Sequence, residues 1–344
     1  MKNKKTINKK AINPDGLMDV HRPTPKTEGG RYTEDNHELL DPVDHMKHHG
    51  IYREREEKFD KLKTLIDGRE HLLKTKNGCE NRILAMKRNV DCLDPIIAEF
   101  LAEQAKSLKK QMDIHDRRIT KHLKDMKLPI IDAALSVRGI GAITVAYILS
   151  YVDIEKARYA SSMWAYVGYD KSSDERYNKG EAGGGNQNLR TRLFATAGSI
   201  IKSTGTENPS PYAEVYVNCK RDLSVSNKIT KTRLTNKKGM HEMAWKDVQP
   251  SHRHGAAIRK MMKHYLADFW YVWRTVEGLE TPMLYPEAKL GHKGIVVPEE
   301  RGWTYNTPTK KQITELKSFR KYKAKLQLKD DEVKEKKTSN NNNK

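Results

Sequence analysis

Apolar side chains recur at helical spacing from residue 51 onward. Between residues 51 and 76 a series of apolar residues recurs three to seven positions apart, with charged residues between them: Phe59, Leu62, Ile66 and Leu73. This spacing predicts an amphipathic helix. Asn77-Gly78 is a turn-forming pair that would end this helix, and a second helical stretch is expected from Asn81.

A longer, one-sided helix is predicted after Asp94. Asp94 is a suitable N-cap, and Pro95 suits the first helical position. From there a stripe of apolar residues, interrupted by a few polar side chains, continues to Lys127. The apolar side of such a helix needs a partner. The sequence leaves open a helical hairpin or an intermolecular coiled coil, and either makes residues 51–127 a helical arm.

The most apolar part of the chain lies between residues 128 and 168. Pro129 restarts the chain there, and two apolar runs flank a turn at Gly139–Gly141. The last helical pattern has Ser251 as a suitable N-cap and Gly278 as a C-terminal stop. The helices predicted in this half cover residues 130–137, 142–152, 163–167, 189–201 and 252–277.

No stretch alternates apolar and polar residues convincingly, so the predicted fold class is all-α. The compact part is a helical domain over residues 128–285, with a polar insertion at 202–250. Residues 1–45 are rich in Lys, Asn, Pro and Gly and predict a disordered basic arm. Residues 305–344 form a basic low-complexity tail.

Charge narrows the choice of partners. The chain of 344 residues has 65 Lys and Arg against 45 Asp and Glu, a formal net charge of +20. Such a surplus favours a polyanion, and nucleic acid is the first partner it indicates. No apolar run approaches the ~18–20 residues of a membrane span. The N-terminus MKNKKTINKK lacks the apolar core of a signal peptide, so we expect no membrane and a cytoplasmic location.

No metal or disulfide site is predicted. Cys79, Cys92 and Cys219 are widely spaced and form no CxxC pair, so free thiols are expected. His252 and His254 are two positions apart at a predicted helix start, where their side chains would point to different sides.

The Gly139-Ile140-Gly141 turn has two interpretations. Two glycines around an apolar residue, between apolar helices, form a helix-hairpin-helix pattern. Glycine permits a positive φ and a close backbone approach, and the first amides of the second helix would face outward, where a phosphate can bind. The alternative is a plain corner between two core helices.

Four ordered blocks carry a family resemblance. They are Leu135–Gly141 with the apolar helix behind it, ARYASSMWAYVGY, GNQNLRTRLFATA and GAAIRKMMKHYLADFWYVWRTVEG. Together, in order and spacing, they resemble the C-terminal transposase domain of the DEDD-type insertion-sequence transposases, some of which are guided by a bridge RNA. The resemblance covers residues 135–200 and 251–278.

The resemblance implies a DNA-binding protein acting in DNA transposition or recombination. The helix-hairpin-helix would hold the DNA backbone, the helical arm would support a homo-oligomer, and a guide RNA is a further candidate partner. The family also uses a serine nucleophile, for which Ser172 and Ser173 in the loop 168–188 are the candidates, although this loop has no Ser-Gly pair.

Full members of the family carry a ribonuclease-H-like domain whose acidic residues bind magnesium. Residues 1–90 show no strand pattern for such a domain. Magnesium would therefore enter only through a missing or partner domain, and no other cofactor is identified. Strand transfer by this chain would then depend on that missing or partner domain.

Candidate DNA contacts follow from charge and position. Arg190 and Arg192 stand at a predicted helix N-terminus beside glycines, where they would form a phosphate clamp. Three cations flank the two serines, and two more lie on the basic face of the last helix. The predicted DNA-binding residues are Gly139, Ile140, Gly141, Ala142, Lys171, Arg176, Lys179, Arg190, Arg192, Arg259 and Lys260.

Two other functions remain open from the sequence. One is a non-catalytic nucleic-acid-binding protein derived from a transposase. The other is a structural or interaction protein whose coiled coil is the active surface. The salt dependence of nucleic-acid binding distinguishes the structural or interaction protein from the two nucleic-acid-binding functions, because phosphate contacts weaken steeply with salt.

Overall fold

The computed structural model describes residues 19–21, 23–24, 33, 35–40, 51–88, 94–170, 185–232, 239, 241–282, 296–321, 323–324 and 328, except for the side chains of Asp19 and residues 51–54. The chain divides into two compact units, Met1–Lys58 with Thr309–Lys344, and Phe59–Pro308. The described part is mostly helical, and its β-structure is confined to two small two-stranded sheets. The predicted all-α fold class is confirmed.

The elements are numbered in chain order. The helices are α1 (Ile51–Arg88), α2 (Pro95–Met126), α3 (Pro129–Ser136), α4 (Ala142–Tyr151), α5 (Ala160–Val167), α6 (Gln187–Lys202), α7 (Pro211–Val225) and α8 (Pro250–Val276). The strands are β1 (Asp19–His21), β2 (Glu38–Leu40), β3 (Ile229–Thr232) and β4 (His241–Ala244). Short 3₁₀ helices cover Ser203–Gly205, Trp245–Asp247 and Pro298–Arg301.

α1 and α2 form an antiparallel helical hairpin. Arg69 Nε on α1 donates to Asp116 Oδ1 on α2 at 2.5 Å. Further along α1, Cys79 Sγ lies 3.8 Å from Gln104 Oε1. A higher residue number on α1 thus goes with a lower residue number at the contact on α2, so the two helices run in opposite directions. Of the two arrangements that the sequence leaves open, the hairpin within the chain is the one observed.

The expectation that α1 ends at Asn77-Gly78 is wrong, because the helix continues to Arg88. The next residue, Cys79, is buried against Leu101 and Ala105 of α2. A glycine in a helix interior costs only about 0.5–1 kcal/mol, and burial of the following turns outweighs that cost.

The start of α2 matches the prediction. The Asp94 carboxylate accepts hydrogen bonds from the amides of Ile96 at 2.9 Å and Ile97 at 3.3 Å, and Pro95 takes the first helical position. Lys127 ends the helix with a φ of 53°. An aspartate N-cap satisfies amides that have no acceptor within the helix, so this boundary is encoded locally.

One hydrophobic core joins the base of the hairpin to the helical domain. Leu62 and Ile66 of α1, with Ile119 and Leu123 of α2, are buried together with residues of α3 to α8. α8 is buried along most of its length. The arm and the domain, which appear as successive segments in the sequence, therefore share a core in the structure.

The segment 202–250 is more than a polar insertion, which corrects the sequence expectation. It contributes α7, whose buried side includes Tyr212, Tyr216 and Cys219, and the antiparallel pair of β3 and β4. These apolar positions recur at three and four on one side of a helix. The many polar residues on its other side mask that pattern in the sequence.

The N-cap of α8 also differs from the prediction. The helix begins at Pro250, two residues earlier than expected, and its N-cap is Gln249 rather than Ser251. Proline suits this first position because its fixed φ is helical and its missing N–H has no acceptor there. Arg253 Nη1 donates to the carbonyls of Lys246 at 2.7 Å and Val248 at 2.8 Å, which fastens the preceding segment to the helix.

A short ladder lies within the predicted disordered arm. β1 pairs antiparallel with β2, and Val20 stands opposite Leu39. Three-residue strands are too short for an alternating pattern to be recognised in the sequence. Of the predicted basic tail, residues 310–321 are helical, and residues 329–344 lie outside the described part. None of the described helices combines the length and the apolar character needed to cross a bilayer.

Candidate nucleic-acid interface

Gly139 makes the turn between α3 and α4 a close-packed corner. Its φ is +91°, a conformation that side chains strongly disfavour. A Cβ on this residue would lie 3.1 Å from Ile200 Cγ1 and 3.7 Å from Ser210 Cβ. Ile140 is buried next to it and anchors the turn in the core. Glycine at 139 is therefore required by the fold.

Gly141 stands in a different environment. It is the N-cap of α4, with φ −103° and ψ 160°, which any residue adopts. A Cβ here would meet nothing within 4 Å. No side chain caps α4, so the first amides of this helix, at Ala142 and Ile143, point outward without an intrahelical acceptor. The fold does not need a glycine here, and its effect is to leave the approach to these amides open.

A second feature is the base of the segment 171–184. Gly185 has a φ of +87°, and a Cβ on it would lie 2.7 Å from both Gly168 N and Tyr166 O. The Asn186 amide donates to the Tyr166 carbonyl at 2.7 Å. The residues on either side of this segment are thus held together, and α6 starts from the same point.

Three cations gather beside this base. The Arg190 guanidinium of α6 lies over the Tyr169 ring at 5.8 Å, and Lys263 Nζ of α8 lies over the Trp164 ring at 5.3 Å. Burial lowers the pKa of Lys263, Arg259 lowers it further, and Asp170 opposes the shift. Arg259 and Lys263 are one helical turn apart on α8, so they lie on the same side.

Tyr169 is the buried centre of this group. Its side chain is 3% exposed, and no described residue forms a hydrogen bond with its hydroxyl. Burial raises the pKa of Tyr169 to about 12, against the opposing charges of Arg190 and Arg259. The hydroxyl therefore stays protonated at neutral pH and remains a donor.

The predicted clamp of Arg190 and Arg192 does not form on one surface. Arg192 lies near a different group: its guanidinium is 6.0 Å from the ring centroid of Tyr147 on α4, and the charge of Arg69 on α1 acts on it. Burial lowers the pKa of Arg192, and the nearby charge of Arg69 lowers it further. Residues two apart on a helix differ in direction by roughly 200°. The pairing of these two arginines is thus corrected, and only Arg190 belongs to the surface beside Tyr169.

The other predicted contacts are distributed over the domain. Lys260 is exposed on another side of α8 from Arg259, and its charge acts on Cys219 of α7. The turn at Gly139 contacts Ile200, and Arg190 lies ten residues earlier in α6, about 15 Å away along the helix axis. The predicted residues therefore form two groups, one at the turn and one beside Tyr169.

The candidate nucleophiles lie outside the described residues. This applies to Ser172 and Ser173 and equally to their basic neighbours Lys171, Arg176 and Lys179. The described residues that flank the segment, Asp170 and Gly185, belong to the same region as Tyr169.

A cleft of about 210 Å³ lies near this region and was not anticipated from the sequence. It lies where the start of α8 meets β3 and Trp245, and Arg259 forms part of its wall. Gly255 lines it, although a Cβ there would make only an ordinary contact of 3.9 Å with Arg259 Nη1. The four-residue spacing of positions 255, 259 and 263 is the sequence pattern that would have indicated a common face.

A buried polar network links the hairpin to α4. Arg69 is held by Asp116 and donates to the Tyr147 hydroxyl at 3.1 Å, and that hydroxyl donates to Glu70. These two acids are therefore engaged in structural hydrogen bonds. Among the described residues, no group of three or more His, Cys, Asp or Glu side chains is arranged to hold a metal ion. The magnesium that the family resemblance implies finds no ligand set there, and we derive no step through it.

The sequence matches no protein-family model, and no curated protein shows significant similarity to it.

Proposed function

We propose that this chain is a DNA-binding, transposase-like protein that acts in DNA transposition or recombination from the cytoplasm. The observation that carries the proposal is Gly141, a glycine that the fold does not require at an uncapped helix N-terminus. A phosphate bound there would accept hydrogen bonds from the outward amides, and the helix dipole would favour its charge. The net charge of +20 supports a polyanionic partner.

The first test is the salt dependence of DNA binding. Wild-type protein is titrated with labelled duplex DNA by fluorescence anisotropy at salt concentrations from about 50 to 200 mM, where phosphate contacts weaken steeply. A strong linear fall of log K with log salt supports the proposal. Binding that is absent, or that does not change with salt, excludes both nucleic-acid functions and leaves the structural or interaction protein.

A matched pair of variants tests the turn itself. Gly141→Asp and Gly141→Asn have side chains of nearly equal shape, both can cap α4, and the open surroundings accept either. We expect the Asp variant to bind DNA about tenfold more weakly than the Asn variant, because only the Asp side chain is negatively charged and would repel a phosphate bound at the start of α4. If both variants bind DNA with the affinity of the wild type, the turn does not bind phosphate and is only a corner between two helices.

The catalytic part of the proposal concerns Ser172 and Ser173. It is supported by the closeness of Asp170 and Gly185 to the cations beside Tyr169, which could hold a scissile phosphate. The wild type and the Ser172→Ala/Ser173→Ala double variant are incubated with nicked and branched DNA and magnesium. A covalent protein–DNA adduct that only the wild type forms supports a serine nucleophile. If neither protein forms an adduct, the serine nucleophile is excluded for this chain and a non-catalytic nucleic-acid-binding protein remains.

Self-association through the arm is a further part of the proposal. Ile96 and Phe100, near the start of α2, are 80% and 56% exposed. A second copy of the chain would bury these side chains, as the family's oligomer suggests. Light scattering of the wild type and an Ile96→Lys/Phe100→Glu variant tests it, and the variant should lose any oligomer. A guide RNA, the other partner that the resemblance suggests, is tested by sequencing nucleic acid that co-purifies.

A further inference from the structure

Tyr169 is unusual because its hydroxyl is buried beside cations and has no hydrogen-bond partner among the described residues. A buried hydroxyl without a partner costs free energy, so such groups are rare in native proteins. Its ring contacts Arg190, and the charges of Arg190 and Arg259 act on its hydroxyl. The missing partner is therefore an acceptor, and the surrounding charge favours an anionic one.

Two helices bring positive charge to the surroundings of Tyr169. Arg190, Arg259 and Lys263 converge from α6 and α8, and Asp170 is the acid that acts on Lys263. Arg259 lowers the pKa of Lys263, because the like charges of the two side chains repel each other. A phosphate has the charge to relieve this repulsion and the oxygens to accept from a phenol and a guanidinium at once.

We propose that Tyr169, Arg190, Arg259 and Lys263 form a binding site for a backbone phosphate of DNA. This inference rests on the proposed function and names a second contact with the same partner, about 15 Å along α6 from the turn. The Tyr169 hydroxyl donates to one phosphate oxygen, and the three cations neutralise the charge. A phosphate bound here lies next to the flanks of the segment that contains Ser172 and Ser173.

Tyr265 offers a matched control. Its hydroxyl is also buried without a described partner, but its ring lies among Tyr212, Phe269 and Trp303 in the core. Tyr169→Phe and Tyr265→Phe each remove one unsatisfied hydroxyl, so both variants should be as stable as the wild type or more so. Only Tyr169→Phe should weaken DNA binding, by about tenfold, because a hydrogen bond to a charged group is lost.

The experiment measures duplex DNA affinity by anisotropy and the unfolding temperature of the wild type, Tyr169→Phe, Tyr265→Phe and Arg190→Ala. Arg190→Ala should reduce the slope of log K against log salt by about one. If the wild type binds DNA and both Tyr→Phe variants bind equally well, the site is overturned while the proposed function stands.

Inorganic phosphate tests the anion site at Tyr169 independently of the proposed function. If the wild type does not bind DNA, the proposed function fails, and the site is judged by the unfolding temperature in added phosphate. A rise in the wild type and in Tyr265→Phe, but not in Tyr169→Phe, retains an anion site for free phosphate. An equal response of all three proteins overturns the site.

Discussion

The Asn186 amide donates to the Tyr166 carbonyl at 2.7 Å and closes the base of the segment between Asp170 and Gly185. The same point sets the start of α6, since the Asn186 side chain caps this helix through the Leu189 amide at 2.9 Å. One short contact thus positions both a chain segment and the helix that carries Arg190.

Gly185→Ala tests this closure. The new Cβ would lie 2.7 Å from backbone atoms of Gly168 and Tyr166, and the φ of +87° disfavours any side chain. We expect the free energy of unfolding to fall by at least about 2 kcal/mol, from backbone strain and displaced contacts together. Urea titration followed by circular dichroism measures the loss.

Gly198→Ala is the control for that variant. Gly198 lies within α6, and a Cβ there meets nothing within 4 Å. Alanine should stabilise the helix by about 0.5–1 kcal/mol. A Gly185→Ala protein as stable as the wild type would show that the closure at Tyr166 contributes little.

Two glycines of α1 should respond differently to alanine. Gly78 has open surroundings, so Gly78→Ala should raise the free energy of unfolding by about 0.5–1 kcal/mol. At Gly68 a Cβ would lie 3.1 Å from His115 Cε1, so Gly68→Ala should give less or none of that gain. Denaturant unfolding of both variants checks the order. A gain at Gly68 equal to that at Gly78 would contradict the observed packing of the hairpin.

The buried ion pair of Asp268 and Arg301 should be expensive to break. Arg301 Nη1 lies 2.9 Å from Asp268 Oδ2, and both residues are buried. Asp268→Asn keeps the shape but leaves the Arg301 charge unpaired, and we expect a loss of about 3–5 kcal/mol in unfolding free energy. The exposed pair of Lys109 and Asp113 is the control, since Asp113→Asn should cost under about 1 kcal/mol. If both variants lose a similar amount of unfolding free energy, the buried pair of Asp268 and Arg301 is no more costly to break than an exposed pair.

Stability should fall in mildly acidic solution because of His264. Burial, together with the charges of Arg301 and Lys260, lowers the pKa of His264 to about 4. An unfolded histidine has a pKa near about 6.5, so between these values the unfolded state binds the proton and the folded state does not. The contribution of His264 is full above about pH 6.5, is lost as the pH falls towards 4, and is constant below that.

The pH dependence is measured by urea unfolding at several pH values between these limits. His264→Gln should flatten the stability curve, because the titrating group is removed. His71→Gln, which replaces an exposed histidine of α1, is the control for the substitution itself. If His264→Gln has the same dependence of stability on pH as the wild type, groups other than His264 cause the loss of stability in acid.

Local chemistry in the sequence determined the helices and several of their boundaries. Asp94 caps α2 by its own carboxylate, and Gly139 turns the chain by its own φ, so both can be recognised without knowing the neighbours. The all-α class follows for the same reason, since helical periodicity is a property of nearby residues.

The tertiary structure decided what depends on distant residues. Whether α1 passes Gly78 was settled by Cys79 packing on Leu101 of another helix. The two glycines of the turn are identical in the sequence, but only Gly139 has a neighbour from α6 where a side chain would be. The charge of Arg259 acts on the Tyr169 hydroxyl although the two residues are far apart in the sequence. A buried hydroxyl without a partner is visible only when everything around it is in place.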